Sequence, residues 1–385
     1  VLKVTRMLAA LDGDDRLGVD PLAELDLAAL ATVADAVPLR GENRRVVAQG
    51  INTIREHPRV GIRALLDAAS ADHRSTDART LGFTIGPAIN AAGRLDHPAR
   101  ALELLLETDP DVARPVAERL WALNSERRDI ERQITEEAIA QFEASPDEIR
   151  DGAAIVVASE GWHEGVVGIV ASRLTERFER PSIVISINGD QAKGSGRSVP
   201  GVDLHGLVAQ ADEVLTGWGG HEGAVGVQLN PRDIVTLRRD LMRSAEGARA
   251  DIERSRVKRV DAVVAGADLS LSDAEALEQL APFGRGNAGV SLLIPGAGIT
   301  GVSTVGQDGR HLRLGLASGG TRSRSIGFSM GHRAPGIDQE LRHDVVAGLA
   351  IERWQDTVGP RVTLRGLDPL PDRNARKAKD VRASL

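Results

Sequence analysis

Four short glycine-bearing segments of this sequence combine backbone N–H groups that a ligand can approach with side chains that bind anions. In Lys193-Gly194-Ser195-Gly196-Arg197-Ser198 a small-residue turn follows a strand and sets a hydroxyl and a guanidinium beside accessible N–H groups. That is the composition of a phosphate cradle, although an ordinary β-turn with a solvated Arg is written with the same letters. Gly217-Trp218-Gly219-Gly220-His221-Glu222-Gly223-Ala224 reads as a loop whose consecutive glycines admit close approach of a ligand and deliver His221 at its tip. A lone His is equally a structural residue. Gly161-Trp162-His163-Glu164-Gly165-Val166-Val167-Gly168 opens a helix just after a strand, where the positive end of the helix dipole attracts an anion; Gly165 and Gly168 are better explained by close helix–sheet packing. In Ile85-Gly86-Pro87-Ala88-Ile89-Asn90-Ala91-Ala92-Gly93-Arg94-Leu95, Asn90 and Arg94 are polar groups in an apolar segment, and buried polar groups need partners at a domain interface or on a substrate. Two glycine-rich turns in one small domain favour an anionic ligand.

The elements that must position these segments follow from hydrophobic periodicity. Residues 1–107 read as mostly helical, with apolar positions three and four apart over Leu25 to Val33, Asn43 to Ile54, Ile62 to Ala69 and Pro98 to Leu106, and no convincing strand. A helical stretch without a sheet of its own reads as the second half of a domain. Asp111 to Ala144 predicts one long charged helix that bridges two domains or packs along one. From 150 to 247 strands (Ala153 to Ala158, Ser182 to Ser186, Ala192 to Ser198, Gly223 to Leu229) alternate with helices (Glu164 to Phe178, Leu204 to Ala211, Pro231 to Met242), which predicts a compact α/β domain. Beyond the charged hinge Glu253 to Arg259, short β candidates at Val260 to Val264, Val290 to Ile294, Gly301 to Val305, His311 to Leu316, Arg324 to Phe328, Asp344 to Ile351 and Arg361 to Leu367 predict a small β-barrel decorated by a helix over Asp273 to Leu280. Arg373 to Arg382 is a basic tail.

Composition bounds the chemistry. The chain has 385 residues, with 48 Lys+Arg against 55 Asp+Glu, and its length accommodates two or three domains of roughly 150 residues. Cys is absent, which excludes disulfides, thiolate metal sites and cysteine nucleophiles; Tyr is absent too, leaving five Phe and four Trp. The basic charge is nearly all Arg, suited to bidentate phosphate contact, and the acidic total does not oppose a local basic groove. No apolar run approaches the roughly 20 residues of a spanning helix, and no secretory pattern opens the chain, so the cytoplasm is the expected compartment. There is no Walker loop. Gly284, Gly286 and Gly289 match a dinucleotide fingerprint by letter but follow a helix and precede a strand; His163-Glu164 and His221-Glu222 have Val167 and Val225 where a zinc-protease helix has its second His; Asp12-Gly13-Asp14-Asp15 fails the calcium-loop pattern at Arg16 and Leu17.

In their order along the chain, these segments resemble the RecJ family of single-stranded-DNA exonucleases within the DHH phosphoesterase superfamily, over nearly the whole length. The stretch Leu25-Asp26-Leu27 through Asp35-Ala36-Val37-Pro38-Leu39, with Gly41-Glu42-Asn43-Arg44, is similar to the last acidic motif of the family's DHH domain. Asn90 to Arg94 matches the segment leading to its connecting helix; Gly161-Trp162-His163, Gly196-Arg197-Ser198 and Gly219-Gly220-His221 match its DHH-associated domain; Ala281-Pro282-Phe283-Gly284-Arg285-Gly286-Asn287 introduces a region like its OB-fold. The resemblance implies an α/β multidomain chain: the mostly helical remainder of a DHH domain (1–108), a connecting helix (109–148), an α/β DHH-associated substrate-binding domain (149–250), a β-barrel OB-fold (258–370) and a basic tail (371–385).

It also implies metal-dependent 5′ to 3′ hydrolysis of single-stranded DNA in repair and recombination, with paired Mn²⁺ or Mg²⁺. Asp35 is then a metal ligand and His221 approaches the reacting phosphate. Ser195, Gly196, Arg197 and Ser198 hold a DNA phosphate together with Gly219, Gly220 and Asn90, and Arg94 adds a second cation. Single-stranded DNA, a single-strand-binding protein and a helicase are the expected partners, with no membrane. Departures qualify the match. The family's Asp-rich, middle Asp and Asp-His-His motifs, which precede the Asp35 region, have no counterpart; Asp72-His73 and Asp96-His97 follow it, lack the second His and read as surface or cap residues. The chain opens at Val1 as if cut inside the catalytic domain, with Val1 to Leu11 resembling the helix after the Asp-His-His segment. Ala88 stands where the family has Arg, and Asn287-Ala288-Gly289-Val290 replaces its Asn-Pro-Glu-Pro. The barrel has only Phe283, Phe328 and Trp354 as aromatics, so it binds strands through Arg313, Arg322 and Arg324 or stacks bases on those rings; Phe328 reads as core. An exonuclease represented by an incomplete chain is the leading expectation. A non-hydrolytic single-strand-binding protein and a DHH-type oligonucleotide phosphoesterase are the alternatives.

Overall fold

The computed structural model describes Met7, Ala10, Asp20 and residues 22–257, 259–354 and 357–370; of Gln307 and Trp354 only the backbone is described. The expected opening helix, apart from Met7 and Ala10, the stretch Asp12 to Asp15, Lys258 of the hinge and the basic tail lie outside the described residues. Two compact units form. One comprises the described residues up to Asn52, residues 77–79 and those from Arg259 on; the other comprises Thr53–Thr76 and the described residues of 80–258.

The first unit begins with helix α1 (Leu25–Ala34) and takes in most of α2 (Gly41–Glu56). In the second unit, α3 (Val60–Ala68), α4 (Gly86–Leu95) and α5 (Ala99–Leu106) pack on α6 (Pro110–Glu143), a helix of 34 residues. Asp109 starts α6 by accepting a hydrogen bond from the Asp111 N–H at 2.9 Å, and Pro110 occupies its first turn. One stripe of α6 is buried: Ala113, Ala117, Leu120 and Leu123 in its first half, and Ile134, Ala138 and Phe142 in its second. The second set joins Ile155, Val157, Trp162, Val170 and Leu174 in a continuous core, so the long polar helix is anchored along its length.

That core belongs to a five-stranded sheet in the order β1-β2-β3-β5-β4, built from β1 (Ile155–Glu160), β2 (Ser182–Asn188), β3 (Gln191–Arg197), β4 (Leu215–His221) and β5 (Ala224–Leu229). The β1–β2 pair is parallel and the rest antiparallel. Helix α7 (Glu164–Phe178) returns the chain between β1 and β2 and lies on β2 and β3. The opposite face is closed by α8 (Leu204–Ala209), α9 (Ile234–Glu246) and α10 (Arg249–Ser255), whose Leu204, Leu207, Leu237, Leu241 and Ile252 pack against Ile183, Ile185, Val225 and Val227. The strand expected over Ala192 to Ser198 forms as β3, so Lys193 to Arg197 is strand and not the turn that its glycines also suggested; Gly217 to His221, expected as a loop, is an edge strand. Glycines read as punctuation in a one-dimensional sequence, but in a sheet whose rows are crowded they are simply the residues that fit.

The first unit closes a barrel from β7 (Leu292–Val305), β8 (His311–Ser318), β9 (Thr321–Gly327), β11 (Thr357–Leu370) and β10 (Arg342–Trp354), with β10 pairing back onto β7 and the short β6 (Ala262–Val263) added in parallel on β7; α11 (Leu271–Glu278) packs against β10. Sequence periodicity divides β7 into two strands. The structure makes it one, bent where the register shifts between Thr300 and Ser303, with Gly301 at φ +60°. One half of β7 pairs with β10 and the other with β8, which is how the barrel closes. The core is aliphatic: Leu292, Ile294, Ile299, Leu314, Val345, Leu349, Val362 and Leu364. The loop after α11 clasps the start of α2. Leu39 N–H donates to Arg285 O at 2.6 Å, Arg40 Nε to Gly286 O at 2.9 Å, and Arg44 Nη2 to Leu280 O at 2.7 Å.

His343 in β10 is only 2% exposed and its Nδ1 has no hydrogen-bond partner. Burial lowers its pKa below the usual imidazole value, opposed by the Leu341 backbone and by Asp338 and Asp368. A depressed folded-state pKa means that the unfolded chain binds more protons, so this stability is present above about pH 6.5 and is lost as pH falls below it. Urea unfolding between pH 7.5 and 5.5, followed by a barrel-specific probe, therefore shows a falling midpoint that His343→Leu flattens, with a residual slope from His311, whose pKa burial and then Arg310 also lower.

Candidate functional site

Strand β3 projects alternate residues to opposite faces. Gly196 faces the apolar side: a Cβ there would lie 2.7 Å from Val225 Cγ2 and 2.9 Å from Leu204 Cδ2, so its glycine is demanded by packing. Lys193, Ser195 and Arg197 face the other way, in register with Gln228, Gly226 and Ala224 of β5 and, beyond them, with Gly217, Gly219 and His221 of β4. Helix α7 covers β3 on this face closely. A methyl on Gly168 would lie 3.1 Å from Ser195 Oγ and 3.3 Å from Arg197 Nη2. Past α7 the face carries no apolar side chain larger than the Ala224 methyl on β4 and β5 from Gly217 to Gln228, and Gly219, His221, Gly226 and Gln228 are exposed. The result is a shelf floored by glycine and edged by Lys193, Ser195 and Arg197. Lys193 Nζ meets Glu164 Oε2 at 3.1 Å, and Arg197 Nη1 donates to Gly196 O at 2.7 Å.

Arg94, in the last turn of α4, reaches α7 and donates from Nη1 to Gly165 O at 2.6 Å. Burial and then the Arg127 guanidinium lower its pKa, against an opposing pull from Glu131; burial and then Arg94 lower that of Arg197. Three guanidiniums thus lie close enough to repel. Behind them is a buried network on α6. Arg127 donates from Nη1 to Glu131 Oε2 at 2.6 Å and from Nη2 to Asn124 Oδ1 at 3.1 Å, while Arg173 of α7 donates from Nε to Glu131 Oε1 at 2.9 Å. Asn124, 1% exposed, has no partner for its Nδ2. Glu131 alone is shared between two guanidiniums, which leaves Arg94 and Arg197 as cations paired only to carbonyl oxygens among the described residues, an arrangement that an anion completes. The sequence reading missed this network. Its signal is Asn124, Arg127 and Glu131 standing at core positions of the α6 stripe that runs through Leu120, Leu123 and Ile134.

The remaining expected residues fall on either side of this arrangement. His221 ends β4; its Nδ1 accepts from the Gly223 N–H at 3.1 Å, which directs Nε2 outward as a donor. Gly219 faces open space, whereas Gly220, at φ +147°, would drive a Cβ to 2.2 Å from Ala224 O and is fixed by the hairpin. Ser198 closes a turn, its hydroxyl donating to Val202 O at 2.8 Å. Asn90 and Arg94 are both exposed along α4 rather than buried in an apolar segment, because Ala88, Ala91 and Ala92 form the packed face; only the guanidinium end of Arg94, drawn against Gly165 O of α7, is partly desolvated. Asn90 makes no hydrogen bond among the described residues. Asp35 lies in the other unit as an exposed residue at the C-terminal end of α1, and the buried carboxylate of its motif is Asp26, 2% exposed. Asp72 caps a short 3-10 turn and Asp96 pairs with Arg100 at 2.9 Å, as surface and cap residues do. Among the described residues no three His, Asp or Glu side chains gather into a metal-binding group.

On the barrel, Arg313, Arg322 and Arg324 are exposed on one outward face of β8 and β9. Phe328, expected in the core, is 40% exposed: it follows the end of β9, its ring edge-on to His311 at 5.3 Å and under the Arg79 guanidinium at 5.4 Å. Phe283 is half-buried, and the Trp354 side chain lies outside the described residues.

Breaking the α6 network tests its energetics. Glu131→Leu strands Arg127 as a buried unpaired cation and lowers unfolding free energy by about 3 kcal/mol, whereas the double variant Arg127→Leu/Glu131→Leu recovers most of that loss in urea titrations.

Comparison with known proteins places this geometry. The family model for the DHHA1 domain matches residues 151–245 and that for the RecJ OB domain matches residues 260–366. The single-stranded-DNA-specific exonuclease RecJ of Bacillus subtilis is 33% identical over 351 residues, 91% of this chain and 44% of that protein; the Escherichia coli enzyme of the same name is 43% identical over 227 residues, 56% of this chain and 39% of its own. The chain therefore spans about half the length of the curated relatives it matches. Among solved structures, RecJ from Thermus thermophilus in complex with Mn²⁺ superimposes with a TM-score of 0.74 at 28% identity, covering 93% of this chain and 51% of that one; the Mg²⁺ complex gives 0.74 at 29%, covering 93% and 54%. A DHHA1 domain followed by a RecJ OB domain, a RecJ relative 33% identical over 91% of the chain and the superposition on RecJ agree, and the chain belongs to the RecJ family.

Proposed function

We propose that this chain supplies the strand-holding part of a RecJ-type 5′ to 3′ exonuclease acting on single-stranded DNA in repair and recombination. The observation that carries the reading is the sheet face on which Lys193, Ser195 and Arg197, with Arg94 alongside, edge a floor of exposed glycine. A sugar-phosphate backbone needs cations at phosphate spacing and a surface it can approach without meeting side chains. Ser195 Oγ and the Arg197 and Arg94 guanidiniums hold phosphate oxygens; the His221 Nε2–H lies on the same face as a donor toward a phosphate. Gly219 and Gly226 admit the backbone, while Gly196, Gly220 and Ser198 act by keeping the strands in place. In the other unit, the outward Arg313, Arg322 and Arg324 and the exposed Phe328 give the barrel its own surface suited to a single strand. A single-strand-binding protein and a helicase are proposed partners by family resemblance. No described helix is long and apolar enough to cross a membrane, and a cytoplasmic setting is part of the same proposal.

The RecJ of Thermus thermophilus has been solved with Mn²⁺ and with Mg²⁺. The described residues here do not assemble such a centre. Asp35 is exposed and Asp26 is buried, and neither belongs to a cluster of three carboxylate or imidazole groups. A pair of divalent ions requires several hard oxygen ligands, so the hydrolytic step is not assigned to these residues.

Two measurements test the reading. Arg197→Ala weakens binding of a single-stranded oligonucleotide about fivefold and reduces the slope of log affinity against log salt by about 1, while Gly226→Val, whose Cβ meets nothing within 4 Å, leaves thermal stability unchanged yet weakens binding about tenfold. Unaltered binding in Gly226→Val would remove the shelf as the interface. Residues 1–385 alone show no digestion of single-stranded DNA with Mn²⁺ above background, and robust 5′ digestion by the pure chain would overturn the view that the described residues assemble no metal centre.

A further inference from the structure

A cavity of about 300 Å³ opens at the N-terminal ends of β1 and β2, the opposite end of β1 from His163, and its lining includes Arg180, Arg249 and Arg256 with Asp151 and Glu253. The volume is at the lower end of the range for small-molecule sites, roughly 300–1,000 Å³. None of these residues takes part in the sheet-face site.

Hydrogen-bond accounting decides what such a mixed lining accepts. Glu253 has both oxygens on Arg256 Nη1, at 2.7 and 3.0 Å, and Glu246 has both on Arg249, at 2.8 and 2.6 Å, so these two carboxylates are engaged by partners one helical turn away. The arginines are not used up by those pairs. Arg180 has no carboxylate partner among the described residues: its Nη1 donates to Arg150 O at 2.5 Å and Gly152 O at 2.8 Å, which leaves Nε and Nη2. Arg249 keeps Nη1 after donating from Nη2 to Asp151 O as well. Arg256 keeps Nη2, and its buried Nε, although 3.4 Å from Glu179 Oε2, makes no hydrogen bond. Burial, then Arg256 and Arg249, lower the Arg180 pKa against the pull of Asp151 and Glu253, so the cationic neighbours weigh more. Spare donors on three guanidiniums, facing acceptors already taken, call for a ligand rich in acceptor oxygens. The Asp151 carboxylate is exposed and makes no hydrogen bond among the described residues; it opposes a bare anion and accepts from a ligand hydroxyl.

We propose that this cavity is a second ligand site, which binds a phosphomonoester of a sugar or nucleoside with its phosphoryl group on Arg180, Arg249 and Arg256. The source is a free nucleotide or the phosphorylated 5′ end of a strand, and the chemistry recognised is the same. The site does not depend on the sheet face being the strand-binding surface.

Titration calorimetry on the whole chain tests it, with 2′-deoxyadenosine 5′-monophosphate, inorganic phosphate and 2′-deoxyadenosine as probes at constant ionic strength. The monophosphate binds, inorganic phosphate binds more weakly, and the nucleoside does not. Arg249→Gln/Arg256→Gln weakens the monophosphate at least tenfold in Kd, roughly the loss of two charge-assisted contacts, and does so equally in an Arg197→Ala background, in which the sheet-face contact is disabled. Asp151→Asn, an exposed change that the fold tolerates, tightens inorganic phosphate several-fold and keeps the test decisive should the double variant fail to fold. Competition by a 5′-phosphorylated oligothymidine identifies a strand end as the source, and its absence identifies the free nucleotide. Equal binding of the nucleoside, no effect of Asp151→Asn, or loss of binding in Arg197→Ala would overturn the assignment; the last would place the phosphate on the sheet face instead.

Discussion

Glu131 is the group on which the second unit turns. Its two oxygens are taken by Arg127 from its own helix and Arg173 from α7, so one buried carboxylate joins the long helix to the helix that covers the sheet. A buried ion pair contributes little net stability but tolerates few geometries. Fixing α7 in this way sets Gly168 against Ser195 and Arg197 and brings Gly165 O to Arg94. The same carboxylate satisfies two guanidiniums and leaves two without acidic partners, and those two lie where the sheet is open. Architecture and electrostatics are therefore decided by one side chain.

The sheet separates two uses of glycine that a sequence cannot distinguish. Gly196 and Gly220 are glycine because a methyl would strike neighbouring atoms of the fold. Gly219 and Gly226 have open space above them, and the fold does not require them to be glycine. Absence of a side chain where nothing in the protein needs the room is the stronger pointer to a visitor. The hairpin that carries them is held by its other face, through Val225 and Val227 in the core and Trp218, whose ring lies 4.8 Å from that of His205.

Much of the fold was legible because helix α7, the boundaries of α6 and most barrel strands follow simple periodicity, with caps at Asp109 and His163. The misread segments share a cause. Gly217 to His221 and the middle of β7 are strands whose glycines answer to neighbours distant in sequence, where local letters read as a loop or a break; Lys193 to Arg197, read both as strand and as turn, is settled as strand by the same kind of neighbour. Of the candidate site, Ser195, Arg197 and His221 stand out in the sequence through motif resemblance, whereas the network behind them does not. Arg127 and Glu131 sit in a run of charge that reads as a solvated helix face until the apolar stripe is followed through them. Phe328 reads as core from its strand-like surroundings, yet it stands just past the last residue of β9, where alternation no longer predicts a direction. The Ala281 to Asn287 segment leads into the barrel as its motif suggests, and with Leu280 it also holds Leu39, Arg40 and Arg44 at the start of α2.

The pairing of Gly219 with Gly226, in register with Ser195, also bears on selectivity. A row of strands that presents only Cα hydrogens and one hydroxyl has no donors or acceptors in a pattern that could tell one base from another. Whatever lies along it can be recognised by its repeat and its charge, and by nothing else. Indifference to sequence is therefore written into this row by omission, and any preference for particular bases falls to the rows beside it, where Gln228 and His221 stand exposed, or to other parts of the protein.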